Sequence, residues 1–281
     1  MTHPSASLTP LVRMGWQRDE ADATDASVDR EWLVTNGLGG YACGTIAGVV
    51  TRRYHGLLVA ALPNPLGRTI MFDHLVEQIH LPEGAAPRVS LEQKSSPPSL
   101  QGTEHLEQFR LEMGLPIWTY RLDGFAIEKR VVLAYRQNTV YVRYRLLESP
   151  SGADGPAGVW LSLRPAMHFR AQDAPVSRPI DPYTLSLTGN RFEVSTGSLL
   201  PSLKMRVDGE NPTFEFFPEK QEMVNYRWEA ARGYEAHGTL WSPGHVKVHL
   251  TRETPSALVA STETWETINA IAPDDAWRHE N

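Results

Sequence analysis

Apolar and polar positions alternate over short runs along most of the chain, and a period of two belongs to strands rather than helices. Between Asn138 and Leu147, Val140, Val142, Tyr144 and Leu146 point one way while Thr139, Tyr141, Arg143 and Arg145 point the other. Leu203, Met205 and Val207 alternate in the same manner with Lys204, Arg206 and Asp208, and Val159, Leu161 and Leu163 with Trp160, Ser162 and Arg164. The same reading predicts strands over Glu31–Thr35, Gly44–Val50, His55–Leu62, Thr69–Leu81, His105–Met113, Ile117–Leu122, Phe125–Tyr135, Tyr183–Thr188, Arg191–Ser195, Met223–Ala230, Gly238–Trp241 and Val246–Arg252. That is about fifteen strands and almost no helix.

Asp123-Gly124 and Gly189-Asn190 each sit between two such runs and predict hairpins, so the order is an antiparallel meander or Greek key. So many short strands fit two packed sheets better than one open sheet. Residues 84–103, with Pro97-Pro98, and 148–158, built from Ser, Pro, Gly and Asp, read as irregular surface loops. After Arg252 the pattern changes, and Thr264–Ile271 reads as the start of a helix with Glu263 and Glu266 near its N-terminus.

The 281 residues carry 33 acidic against 27 basic side chains, a net charge of −6. No basic footprint results, which argues against nucleic acid and anionic membranes as partners. One cysteine, Cys43, rules out an internal disulfide and suits a reducing cytoplasm. Met1–Trp16 lacks the 7–15-residue apolar stretch of a signal peptide. The longest apolar run, Leu57–Leu62, is far short of the roughly 20 residues that span a bilayer.

Several chemistry motifs fail on context. Gly37-Leu38-Gly39-Gly40-Tyr41-Ala42 matches the dinucleotide fingerprint in letters, but a strand-like run follows where a helix should start, and no acid stands about 20 residues on. The glycines then permit a tight bend. Ten His residues show no metal-ligand spacing, so no metal or other cofactor is expected, and no G-x-S-x-G elbow occurs. Thr51-Arg52-Arg53-Tyr54-His55-Gly56 is the densest polar cluster, able to offer guanidinium forks, a phenol and an imidazole to a polyhydroxy ligand. The plainer reading has Arg52 or Arg53 paired with a buried carboxylate such as Glu31 or Asp73. Glu229 and Glu235 are two carboxylates that a glycoside hydrolase could use as acid and base, although Glu229 with Arg232 fits a local structural ion pair better. Trp32, Trp118, Trp160, Trp228 and Trp241 suit either sugar stacking or, for most of them, the core.

Glu31–Ala42, then Gly44-Thr45, Gly48 and Thr51–Ala61, resemble the N-terminal domain of bacterial and archaeal glycogen debranching enzymes of the amylo-α-1,6-glucosidase type. Trp118–Tyr120, Glu128–Val131, Asn138-Thr139-Val140, Glu229-x-x-Arg232-Gly233 and Leu240–Gly244 continue the match in order, over about residues 15 to 260. Two departures stand out: Cys43 replaces a small Ser, and Phe169–Asp173 is a blurred form of a segment richer in Arg, Asp and His. The resemblance implies an all-β fold, a large antiparallel two-sheet supersandwich over 1–260, with 261–281 a linker or helix leading to a helical catalytic domain. That toroid would need roughly 200 residues, and only 29 follow Arg252. The expected role is therefore noncatalytic: packing on the C-terminal (α/α)6 domain and assisting the binding of an α-glucan, glycogen or a branched dextrin, in the cytoplasm. The substrate- or interface-binding candidates are Asn36, Arg52, Arg53, Tyr54 and His55, with no catalytic residue expected in this chain. The alternatives are a stand-alone carbohydrate-binding module and, last, an autonomous hydrolase.

Overall fold

A computed structural model describes residues 16–17, 27–82, 103–150, 158–197, 199–217 and 222–280. Nearly all of the loop expected at 84–103, and 151–157 of the second loop, lie outside the described residues. The strands are β1 (Trp16–Gln17), β2 (Glu31–Thr35), β3 (Tyr41–Thr45), β4 (Gly56–Ala61), β5 (Arg68–Phe72), β6 (His74–His80), β7 (Leu106–Glu112), β8 (Leu115–Leu122), β9 (Phe125–Leu133) and β10 (Thr139–Glu148). They continue as β11 (Val159–Ala166), β12 (Arg170–Ala171), β13 (Tyr183–Thr188), β14 (Arg191–Thr196), β15 (Leu203–Asp208), β16 (Glu210–Phe216), β17 (Glu222–Asn225), β18 (His237–Leu240), β19 (Gly244–Leu250) and β20 (Ser256–Ser261). A 3-10 turn at Thr103–His105 and the α-helices α1 (Arg227–Ala231), α2 (Trp265–Ala270) and α3 (Pro273–Glu280) complete the named elements.

All pairings are antiparallel. A nine-stranded sheet runs β1-β7-β8-β9-β10-β20-β15-β14-β13. Against it lie two narrower sheets, β12-β5-β4-β3-β2 and β16-β19-β11-β6, while β17 and β18 form a separate ribbon. β2, β4 and β19 approach β8, β9, β10 and β20, which makes two layers, the second of them split. Between the layers lies one apolar core, in which Trp32, Phe109 and Trp118 meet edge to face with centroids 5.1 to 5.3 Å apart. The two-layer all-β expectation therefore holds.

The hairpins follow from turn chemistry. Asp123 (φ 44°) and Gly124 (φ 81°) are both left-handed, as the tight β8–β9 turn demands. Met113 and Gly114, at φ 49° and 84°, build the β7–β8 turn in the same way. Of the C-terminal helices, α2 is capped by Thr264, whose hydroxyl accepts the Thr267 N–H at 3.2 Å. α3 opens on a proline and two aspartates. Buried Ile268, Ala276 and Trp277 pack both helices onto the nine-stranded sheet, where Arg130 lies 4.4 Å over the Trp277 ring.

Several strands differ from the sequence reading, and β1, β12 and β16 lie outside every predicted run. Thr69–Leu81 is two strands: the chain leaves the five-stranded sheet after Phe72, passes Asp73 and enters the four-stranded sheet at His74. Gly44–Val50 is the end of β3 followed by a turn, in which Val28, Ala47 and Val49 make a small cluster of their own. Met223–Ala230 is half strand and half helix, because Trp228 and its neighbours wind into α1. β20 was unforeseen: Ser-Ala-Leu-Val-Ala-Ser is buried on both faces, so no polar position marks a period. Among the described residues no helix is long and apolar enough to cross a membrane.

Candidate functional site

β2, β3 and the loops around them enclose a groove of about 550 Å³ on the five-stranded sheet, lined among others by Leu33, Tyr41, Arg53, Tyr54, Arg68 and Gln172. Its near rim is the β2–β3 turn. Asn36 organises that turn from below: its Oδ1 accepts the N–H groups of Leu38 (3.0 Å) and Gly40 (2.9 Å). The amide nitrogen of Asn36 donates to Gln137 O (2.9 Å) and Asn138 Oδ1 (3.1 Å). Asn36 is fully buried, so its polar capacity is spent inside the fold and the turn is what it presents to the groove. Gly37 and Gly39 take φ of 74° and 97°, and the turn joins two antiparallel strands, which removes the strand-to-helix context of a dinucleotide loop.

The Arg52–His55 segment splits by direction. Arg53 and Tyr54 face the groove. Arg52 lies 5.8 Å from the Tyr54 ring and 5.3 Å from the Trp228 ring, and its Nε bonds Glu31. His55 is buried behind it, with Nδ1 accepting the Thr51 N–H at 3.2 Å. That bond places the ring proton on Nε2, 3.2 Å from Glu31 Oε1. The expected Arg52–Glu31 pair is thus present, extended by an imidazole. His55 and, less strongly, Arg52 hold the Glu31 carboxyl down at about 2 against the opposing effect of burial. A depressed carboxylate contributes stability above its unfolded value of 4.5 and loses it as pH falls through about 2. Glu31→Gln should therefore flatten the acid limb of a melting-temperature profile between those values. Because Glu31 remains 32% exposed, solvent screening keeps the effect small.

Glu229 does not pair with Arg232. It is buried at 1% exposure, accepts the Arg53 backbone N–H at 3.1 Å and approaches the Arg53 guanidinium at 4.0 Å, while Arg53 lies 5.4 Å over the Tyr234 ring. Glu235 stands on the surface and accepts from the Ser177 hydroxyl. Asp73, the other partner considered for Arg52 or Arg53, belongs instead to Arg170.

The opposite wall, Ala171–Ala174, carries residues that the cluster reading missed. Arg170 is completely buried below it and donates to the carbonyls of Arg53, Ala171 (3.4 Å) and Ala174 (3.5 Å). Its counter-ion, Asp73 Oδ1, is 4.0 Å away, and the Asp73 Oδ2 accepts the His168 N–H at 2.7 Å. Burial pushes the Asp73 carboxyl up to about 7 against the pull of Arg170 and that N–H. In the groove floor, the Tyr41 hydroxyl lies 3.1 Å from Tyr54 O and 2.9 Å from Gln172 Oε1. Two ties therefore hold the walls together. The signal in the sequence was the Phe169–Asp173 segment; nothing there pointed to Tyr41 or Arg68. With aromatic rings, guanidinium forks and amide groups around an open trough, the arrangement can hold a polyhydroxy ligand by stacking and hydrogen bonds.

Two solved structures resemble the chain at low identity. One, described as a candidate kojibiose phosphorylase from the human microbiome, is 11% identical with a TM-score of 0.42, over 95% of this chain and 35% of that one. The other, a bacterial glucoamylase complexed with acarbose, is 7% identical with a TM-score of 0.34, over 91% of this chain and 33% of that one. The chain thus spans about a third of their length. None of the curated protein sequences matches it. The family model "Glycogen debranching enzyme N terminal" matches residues 30–256, from the start of β2 to the start of β20, and the chain belongs to that family.

Proposed function

We propose that the chain serves as the noncatalytic domain of a cytoplasmic debranching enzyme of the amylo-α-1,6-glucosidase type, packing on a helical (α/α)6 catalytic domain and helping it hold branched α-glucan. The observation that carries this reading is an exposed apolar patch beside the groove. Glu280, at the end of α3, accepts the Tyr135 N–H at 2.7 Å. The Tyr135 ring lies against Gly37, where an added Cβ would come within 2.6 Å of it. α3 therefore packs beside the groove rim, near exposed Leu33 (59%), Leu38 (46%) and Tyr135 (65%). A partner domain arriving there would cover these side chains and face Arg53 and Tyr54, which supply the donors a glucan needs.

In the complete enzyme, Arg53→Ala and Tyr54→Ala should each lower kcat/KM on a branched limit dextrin by about tenfold, with the melting temperature unchanged for Tyr54→Ala and lowered for Arg53→Ala, which takes the guanidinium away from buried Glu229. Untouched debranching in both variants sinks the glucan-holding role. Glucose released from the dextrin by this chain alone sinks the noncatalytic assignment.

A further inference from the structure

The solvent face of the four-stranded sheet has an organisation that the groove does not explain. Register aligns Glu210, His249, Trp160 and His80 in one row across all four strands. On the next row of the same face Lys247 stands beside Ser162. Val159, Leu161, Leu163, Val246, Val248 and Leu250, which alternate with these positions, are buried in the core. Trp160 is 39% exposed, whereas Trp32, Trp118 and Trp277 are buried and Trp228, Trp241 and Trp265 are half-buried. Strand residues with outward polar neighbours rarely need a tryptophan there for packing alone.

We propose that this face is a second α-glucan surface, centred on Trp160 and separate from the groove, that takes an unbranched stretch of a neutral glucan chain. Three observations select that occupant. The ring is held in place: His249 packs against it with centroids 5.0 Å apart at 37°, so little freedom is lost when a ligand lies on it. The polar groups on the face already have partners: Lys247 pairs with Glu215 at 2.7 Å, and the His245 and His249 rings lie 3.0 and 3.3 Å from the Glu215 and Glu210 carboxylates. An anionic or cationic ligand would have to break those pairs, whereas a neutral polyol can stack on the indole and exchange hydrogen bonds with their outer lone pairs and protons. Beside the indole, His80 Nε2 lies just below the surface with no hydrogen-bond partner. Burial, then Lys247 and His245, push the His80 pKa down, so the imidazole is neutral at physiological pH. The choice of α-glucan over other neutral polyols rests on the function proposed above; the stacking platform itself does not.

The test is affinity electrophoresis of this chain in native gels containing soluble amylose, with a β-linked glucan as control. Wild type should be retarded by amylose alone, and Trp160→Ala should lose at least about tenfold in apparent affinity, as expected when one stacking aromatic is removed. Trp160→Tyr should recover part of it, and Leu187→Ala, at an exposed position on β13 of the nine-stranded sheet, should migrate as wild type. Tryptophan fluorescence should shift on titration with amylose, and the shift should vanish with Trp160. An unretarded wild type, or a Trp160→Ala chain retarded like wild type, overturns the proposal, as does an equal loss of retardation in Leu187→Ala. Should Trp160→Ala fail to fold, Trp160→Tyr and His80→Ala decide the matter by the same gels. The debranching assay on Arg53 and Tyr54 is read separately, so a failure here leaves the groove reading standing and the converse also holds.

Discussion

Replacing Lys129 with Met lowers the stability of the fold by about 3–5 kcal/mol, because it leaves a carboxylate in the core without its counter-ion. Lys129 on β9 and Glu77 on β6 meet between the layers, Nζ to Oε2 at 2.8 Å, with side chains 7% and 1% exposed. Tyr144 donates a hydroxyl to the other Glu77 oxygen, and the ammonium also lies 5.1 Å over the Trp118 ring. Burial and the Glu77 charge keep the Tyr144 hydroxyl protonated, so it acts as a donor throughout the working pH range. Removing all three polar groups at once, as Lys129→Met, Glu77→Leu and Tyr144→Phe, should restore stability to within about 1–2 kcal/mol of wild type, since apolar replacements of a buried ionic cluster are often neutral. Denaturant unfolding reads both outcomes. A single Lys129→Met variant within about 1 kcal/mol of wild type would mean that water reaches Glu77 and that the cluster is not sealed.

That cluster shows how far the sequence could be read. The period of two places Glu77 in line with Leu75 and Ile79, and Lys129 in line with Ile127 and Val131, so two charges at inward slots were visible as anomalies. Their meeting across 52 residues of chain depended on a crossover after Phe72, which an apparently continuous run from Thr69 to Leu81 concealed. β20 stayed hidden for a related reason, since a strand covered on both faces has no polar phase to detect. In the groove, local density of polar residues drew attention to Arg52–His55, and Arg53 and Tyr54 do face it. Density could not tell which members point outward. Asn36 and His55 turn inward because the β2–β3 turn and the Thr51 N–H each claim a side-chain acceptor. The far wall came from a segment more than a hundred residues away, visible only as the blurred stretch Phe169–Asp173.

Arg170 in that stretch gives the second large effect. Arg170→Met should cost about 3–5 kcal/mol at pH 8.5, where Asp73 is ionised in wild type and left buried without its counter-ion in the variant. Three carbonyls, those of Arg53, Ala171 and Ala174, also lose their donor, so both groove walls loosen at once. Lysine is no substitute, because one ammonium cannot span the positions reached by a planar fork. The distinctive readout is pH. Asp73 titrates near 7 in the fold against 3.8 unfolded, so the native state holds its proton longer. The stability contributed by the neutral carboxyl is fully present below 3.8 and is lost as pH rises through about 7. The groups facing Asp73 are Arg170, the His168 backbone N–H and the Tyr183 and Tyr226 hydroxyls, and burial keeps both phenols protonated. The His168 ring, pushed down to about 4 by burial and by Arg170, stays neutral across that window. Without Arg170 the carboxylate becomes costlier still, while the protonated form needs no counter-ion. The deficit of Arg170→Met relative to wild type should therefore be smaller near pH 5, where only the loss at the three carbonyls remains, and widen as pH rises past about 7 to 8.5, read from unfolding curves at both ends. A deficit that does not change with pH would mean that Asp73 is ionised throughout, with Arg170 acting on the loop carbonyls alone.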